Sequence, residues 1–181
     1  MLPLIDDAVL RRPTPEDVPL LHEIYSDPEV WRHAPQGRHT SPEATQALVE
    51  FFLSCWEESG LGPWLVQDRE TGGLLGNCGC SLRNDAHWNL GYRFAPAAQG
   101  RGLATRISRL AIDAVRALDD DRPVIASILE HNTASVRVAE RVGLTLEYRG
   151  PDVGNPDPGA VRLLFADRRL DPAMVGLILG R

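Results

Sequence analysis

The stretch Gly91-Tyr92-Arg93-Phe94-Ala95-Pro96-Ala97-Ala98-Gln99-Gly100-Arg101-Gly102-Leu103-Ala104-Thr105 decides how the rest of the chain is read. A strand ends at a proline, a turn bearing two glycines follows, and an amphipathic helix starts at once. Glycine lets the backbone of such a turn approach a ligand closely. The first N–H groups of the helix lack intrahelical partners, and together with the helix dipole they form an anion site. Two readings follow from these residues: a cradle for phosphate or pyrophosphate, or a tight turn that binds nothing. The spacing is not the dinucleotide fingerprint. Gly100-x-Gly102 has no third glycine, position 105 is Thr, and the preceding strand belongs to a meander instead of a βαβ unit.

Upstream of this stretch, Trp64 to Gln67, Leu74 to Arg83 and His87 to Ala95 read as three strands joined by tight turns, an antiparallel meander. Further back, Val9 to Arg12 is a short first strand. Thr14-Pro15-Glu16-Asp17 opens a helix, with a cap, a proline and acids in the first turn. Val18, Leu20, Leu21 and Ile24 form its apolar face, and Asp27-Pro28 ends it. Val30 to Gly37 mixes aromatic, basic and turn residues and reads as a contact loop. Ser41-Pro42-Glu43-Ala44 opens a second helix that runs to about Ser59.

Downstream, Leu103, Ile107, Leu110, Ala111, Ala114, Val115 and Leu118 recur at helical spacing. Asp119-Asp120-Asp121 closes that helix. Acids there oppose the dipole, so the run is expected to be a solvated loop and not a metal site. Val124 to Leu129 reads as a buried strand. Asn132 to Val142 is a helix stopped by Gly143, and Leu144 to Tyr148 a strand. Pro151 to Gly159 is a proline- and glycine-rich mobile loop, and Val161 to Ala166 the last strand. The apolar run Met174 to Leu179 packs on the domain or on a partner. The expected order is β-αα-βββ-α-β-α-ββ. With no repeat and no long linker, residues 1–181 are expected to form one domain, with its core at about 8–168.

Composition narrows the function. The 181 residues are 43% hydrophobic and 24% charged, as in a globular protein. A net charge of -6 disfavours nucleic acid as a partner. All 19 basic residues are arginine. The absence of lysine excludes a lysine Schiff base, a lysine general base and a Walker-type phosphate loop. Cys55, Cys78 and Cys80 suit neither a disulfide framework nor a zinc site, and are expected as reduced, buried thiols. No signal peptide, lipidation motif or long apolar run is visible, so a cytoplasmic location without membrane association is expected.

Gln99-x-x-Gly102-x-Ala104 resembles the Gln/Arg-x-x-Gly-x-Gly/Ala signature of the GNAT N-acetyltransferases. The flanks look like the ribosomal-protein alanine N-acetyltransferase branch. Asn89 to Pro96 is similar to its strand before the loop, and Asn132 to Leu144 to its Asn-x-x-Ser…Gly-Phe segment. Asp27-Pro28-Glu29-Val30 is similar to its first interhelical loop. The resemblance implies an α+β fold with a central, mostly antiparallel, twisted sheet of about seven strands and about four helices. It implies acetyl-CoA as cosubstrate, no metal, and a homodimer as a common state. Backbone groups of Tyr92 and Phe94 would hold the pantetheine arm. The N–H groups of Gln99, Gly100, Arg101, Gly102, Leu103, Ala104 and Thr105 would hold the pyrophosphate, with Arg101 or Arg106 adding charge. Asn132 would face the cofactor arm and Ser135 the leaving sulfur. Both are equally a helix cap and a third-position residue.

Acetyl transfer to an amine needs a free amine, an acceptor for its proton, a stabilised oxyanion and a protonated thiolate. The Phe94 N–H suits the oxyanion, and Ser135 can donate to sulfur. The base is where the chain departs from the resemblance: the related branch tends to place Glu where Asn89 stands. Alternation puts His87 on the same face as Asn89 and Gly91, so His87 is the candidate base, with Asp85 and Glu130 as rivals. Trp31, His33 and Asn89 are candidate acceptor contacts, beside Tyr25, Arg32 and residues 150–159. The expected activity is acetylation of a small amine or a protein N-terminus. The alternative, kept open by Asn89, is a CoA-binding sensor or interaction module of weak activity.

Overall fold

The computed structural model describes residues 5–180. Its elements are β1 (Ala8–Arg11), α1 (Val18–Tyr25), α2 (Pro42–Ser59), β2 (Trp64–Asp68), β3 (Leu74–Arg83), β4 (His87–Phe94), α3 (Leu103–Arg116), β5 (Val124–Leu129), α4 (Thr133–Arg141), β6 (Thr145–Pro151), β7 (Val161–Ala166) and α5 (Pro172–Ile178). The seven strands form one sheet in the order β1-β2-β3-β4-β5-β7-β6. Every pair is antiparallel except β4 with β5. The expected α+β architecture is present, with a fifth helix beyond the expected four. That helix is the C-terminal apolar run, and Val175 and Ile178 pack on Ile125, Leu164 and Ala166 of the same chain.

The start of the first helix differs from expectation in detail. Pro15–Asp17 forms a single tight turn ahead of α1. The Asp17 carboxylate accepts from Arg11 at 2.5 and 2.7 Å and from the Thr14 N–H at 2.7 Å. The turn thereby ties β1 to α1.

The two sheet faces are unlike. On one, α3 buries Leu103, Ile107, Ala111, Ile112 and Val115, against Cys78, Cys80, Trp88, Leu90 and Phe94 from β3 and β4. Burial of a side chain such as Ile107 contributes roughly 1.5–3 kcal/mol. All three cysteines are buried free thiols, as expected, and burial pushes Cys78 up to about 12. On the other face, a cluster under α1 and α2 (Leu21, Ile24, Tyr25, Trp31, Val49, Leu65) is separate from the cluster under α5. Between these two clusters β3 and β4 present Asn77, Gly79, Ser81 and Arg83, paired across the strands with Arg93, Gly91, Asn89 and His87. Strand alternation therefore lays a polar floor where an apolar core would otherwise continue.

The acidic run after α3 is more than a solvated loop. Asp120 accepts from the indole N–H of buried Trp88 at 3.0 Å and from Arg122 at 2.8 to 3.0 Å. Arg122 and these hydrogen bonds hold its carboxyl down at about 2. Its contribution to stability is therefore full above the unfolded-state value near 3.9 and is lost as pH falls from there towards 2. Asp120→Ala is expected to lower the unfolding free energy by about 1–3 kcal/mol, because the Trp88 N–H is left buried without an acceptor. Urea denaturation at pH 7 checks this, and an unchanged midpoint would refute it.

Candidate active site

β4 and β5 pair only at Trp88 with Val124 and Asn89 with Ile125. Beyond these residues the strands diverge. The Trp88 N–H points towards β5, donating to Pro123 O at 2.9 Å. Strand N–H groups alternate sides, so those of Tyr92 and Phe94 point the same way, into the gap. A cleft of about 850 Å³ passes through this gap, from the α1–α2 loop on one side of the sheet to α3 and α4 on the other.

The glycine turn closes the α3 side. Gly100 and Gly102 have φ of +77° and +74°, the left-handed region that glycine enters without strain. Gly102 caps α3, and the first helical bond runs from Arg106 N to Gly102 O at 3.1 Å. The N–H groups of Leu103, Ala104 and Thr105 precede that bond and lack helical partners. No atom lies within 4 Å of where a Cβ would stand on Gly100 or Gly102. The Gln99 side chain donates to Phe94 O at 3.1 Å and fastens the turn to the end of β4. Backbone donors and open space thus fit a pyrophosphate. The arginine side chains face elsewhere: Arg101 reaches Asp7 and Asp68 at 3.3 Å, and Arg106 reaches Asp7 at 2.7 Å.

The start of α4 forms a second wall. Asn132 Oδ1 accepts from Ser135 N at 3.2 Å, a true helix cap, and both residues line the cleft. The Tyr92 hydroxyl donates to Ser135 O at 3.2 Å, and burial pushes it up to about 12. From sequence alone Tyr92 offers only its backbone to the cofactor arm. Alternation shows which sheet face Tyr92 occupies but not that α4 lies within its reach.

The acceptor side is built on the polar floor. Trp31 is 8% exposed and its indole N–H donates to Tyr25 O at 2.7 Å. The Arg93 guanidinium stacks on its ring with its central carbon 3.7 Å from the centroid. Arg93 Nη1 also donates to Val30 O at 3.3 Å and to His33 Nε2 at 3.2 Å. A guanidinium only donates, so Nε2 carries the lone pair and the His33 proton sits on Nδ1. Burial, then the charges of Arg93 and His131, pushes His33 down to about 4. Trp31 is therefore a packing anchor as well as a cleft wall, and His33 is neutral at pH 7.

His87 is 5% exposed, does not line the cleft, and its Nδ1 is buried without a partner. Burial and then Arg83 lower its basicity. Asn89 does line the cleft. Of the rival bases, Asp85 pairs with Arg122, and Glu130 pairs with Arg149 at 2.6 Å. Neither lines the cleft. None of residues 150–159 lines the cleft; Gly150 pairs across the strands with the lining residue Arg162, and Asp152 holds its guanidinium at 2.8 Å. Sequence reasoning missed Arg93. The available signal was the unbroken polar alternation His87, Asn89, Gly91, Arg93 in a strand flanked by buried ones. Among the described residues no His, Cys, Asp and Glu group could hold a metal ion, and no helix is long and apolar enough to cross a membrane.

Comparison with known proteins agrees with this geometry. The chain is 33% identical to the uncharacterized protein YkkB of Bacillus subtilis over 124 residues, covering 67% of this chain and 71% of YkkB. Its fold is similar to that of a Salmonella typhimurium acetyl transferase that modifies the N-terminal serine of 50S ribosomal subunit protein L7/L12. The TM-score is 0.74 at 20% identity, covering 94% of this chain and 99% of that one. It is also similar to YncA of Salmonella typhimurium, solved with its cofactor acetyl-CoA. There the TM-score is 0.69 at 21% identity, covering 92% and 98%. Residues 7–145 match the family described as the Acetyltransferase (GNAT) domain, a span that includes the divergent strands, the glycine turn and the α4 cap. The chain is a member of the GNAT acetyltransferase family.

Proposed function

We propose that this protein transfers the acetyl group of acetyl-CoA directly to a primary amine, of a small molecule or of a protein N-terminus. One observation carries the reading. A single cleft joins the phosphate-type cradle, the unpaired strand N–H groups and the α4 N-terminus to a polar floor on the opposite side. One structural neighbour was solved with acetyl-CoA, and another modifies an N-terminal serine.

Acetyl-CoA supplies an acetyl group activated on a leaving thiolate. The N–H groups of residues 100–105 receive the pyrophosphate. Tyr92 and Phe94 offer N–H groups to the arm, and Phe94 N–H stabilises the oxyanion as the amine forms its C–N bond. The C–S bond then breaks, and the thiolate takes a proton from the Ser135 or Tyr92 hydroxyl beside the positive end of α4, a proton that solvent water returns to the hydroxyl. The amine loses its proton to water. No carboxylate of the cleft is placed to take it, since Asn89 is an amide and Glu29 pairs with Arg32 at 3.4 Å.

His33, held at about 4, stays neutral across pH 5–8 and contributes no inflection there. The rate constant kcat/KM is expected to rise about tenfold per pH unit up to the pKa of the acceptor amine. An inflection near 6.5 that vanishes in His33→Gln would refute this.

The lack of a carboxylate base also supports a second reading, a module that binds CoA with little turnover. Calorimetric titration with acetyl-CoA, CoA and ATP, followed by thiol release on amines and peptides, tests both. The enzyme reading predicts acetyl-CoA binding with turnover, and ATP without effect. Binding with no turnover on any acceptor favours the module, and absence of CoA binding overturns both.

A further inference from the structure

The charges of the cleft point beyond the reaction class. Its acceptor side carries four arginines and one acid. Arg32 is paired with Glu29, and Arg162 with Asp152. Arg83, more exposed, stacks on Phe51. Arg93 is half-buried and lines the cleft, and no carboxylate pairs with it among the described residues. Nη1 contacts a carbonyl and a neutral imidazole, the neutral Tyr25 hydroxyl lies against the guanidinium as well, and Nε is buried without a hydrogen-bond partner. Neutral acceptors and an aromatic face hold the guanidinium in place but leave its charge uncompensated. A buried charge without a counter-ion is unfavourable, and an arriving anion relieves it. The same field repels a cationic acceptor, and no acidic cluster offsets it.

We propose that the acceptor is an amine bearing an anionic group, a carboxylate in the simplest case, which the Arg93 guanidinium receives. This rests on the acetyltransferase reading and specifies its substrate class. The loop residues Val30, Trp31 and His33 then serve to aim Arg93, and the polar floor from Asn77 to Asn89 lies alongside for the amine. Arg93 is a specificity residue here: alternation turns its side chain to the α1–α2 side of β4, away from the face that carries Tyr92.

Matched acceptors that differ only in charge test the proposal: an amino acid, its amide, and the amine lacking the carboxyl group, each at fixed saturating acetyl-CoA. The amino acid is expected to exceed its amide in kcat/KM by about tenfold or more, the ordinary worth of one charge-assisted contact. Arg93→Met keeps the stem on Trp31 and is expected to abolish that ratio through KM. Arg83→Gln is expected to keep it. Calorimetry of the N-acetylated acid and its amide, on the free protein and on its CoA complex, reads the same preference without turnover and without relying on a variant. Equal or better use of the amide, the bare amine or a peptide with no acidic group overturns the proposal. So does a ratio lost in Arg83→Gln and retained in Arg93→Met. Failure of acetyl-CoA to bind refutes the activity, while the acid and amide pair still reports on Arg93.

Discussion

Trp31→Ala is expected to remove about 3–5 kcal/mol of stability, the range for deleting a buried Trp side chain. The magnitude follows from what the ring does. It sits between Tyr25, edge-on at 5.8 Å, and the Arg93 guanidinium, with His33 and His39 stacked nearby at 6.4 and 6.2 Å. A Cβ on Gly37 would come 2.2 Å from the ring, so the loop backbone is itself fitted to the indole. Its loss empties the joint between α1, the following loop and β4, and it frees Arg93 from the stack. The variant is expected to lose acceptor turnover by at least tenfold. Acetyl-CoA affinity should change by no more than about twofold, since the cradle lies across the sheet and distant sites act nearly independently. Denaturant unfolding and calorimetry measure the two effects separately. A variant of unchanged stability would mean that the loop is not held by Trp31.

Much of the fold was legible because local signals and tertiary burial agree. Leu74 to Arg83 and Val124 to Leu129 fall where the sequence places strands, since the flanking turns and the small or apolar run point the same way. The glycine turn was legible for a similar reason: a proline, two glycines and an abrupt helical period occur in sequence. The sheet order was not. β7 lies between β5 and β6, and a chain of short strands does not say which of two hairpin partners faces inward. Charged groups were the least legible. Asp120, expected in solvent, accepts from Trp88 32 residues away, and Arg93 contacts Val30 across 63 residues. His87 shares a face with Asn89, as alternation requires, yet lies under cover at the hairpin end and away from the cleft. Periodicity gives the face of a residue. It does not give position along the strand relative to a gap that opens only where pairing stops.

Gly102→Ala is expected to reduce acetyl-CoA affinity by at least about tenfold, or about 1.4 kcal/mol. Two effects combine at this position, and they are separable. With φ at +74°, an L-residue at Gly102 is strained by roughly 1–2 kcal/mol. That strain acts on stability. The methyl would meet no protein atom within 4 Å and would project into the space beside the first N–H groups of α3, where a phosphate oxygen must approach. That obstruction acts on affinity. Gly60 supplies the control: it ends α2 with φ of +68°, also has no atom within 4 Å of a Cβ position, and does not line the cleft. Gly60→Ala should lose comparable stability, about 1 kcal/mol, with acetyl-CoA binding unchanged. Gly102→Ala should lose both. Equal affinities in the two variants would show that residues 99–105 form only a strand-to-helix turn, and the pyrophosphate would have to be sought elsewhere in the cleft.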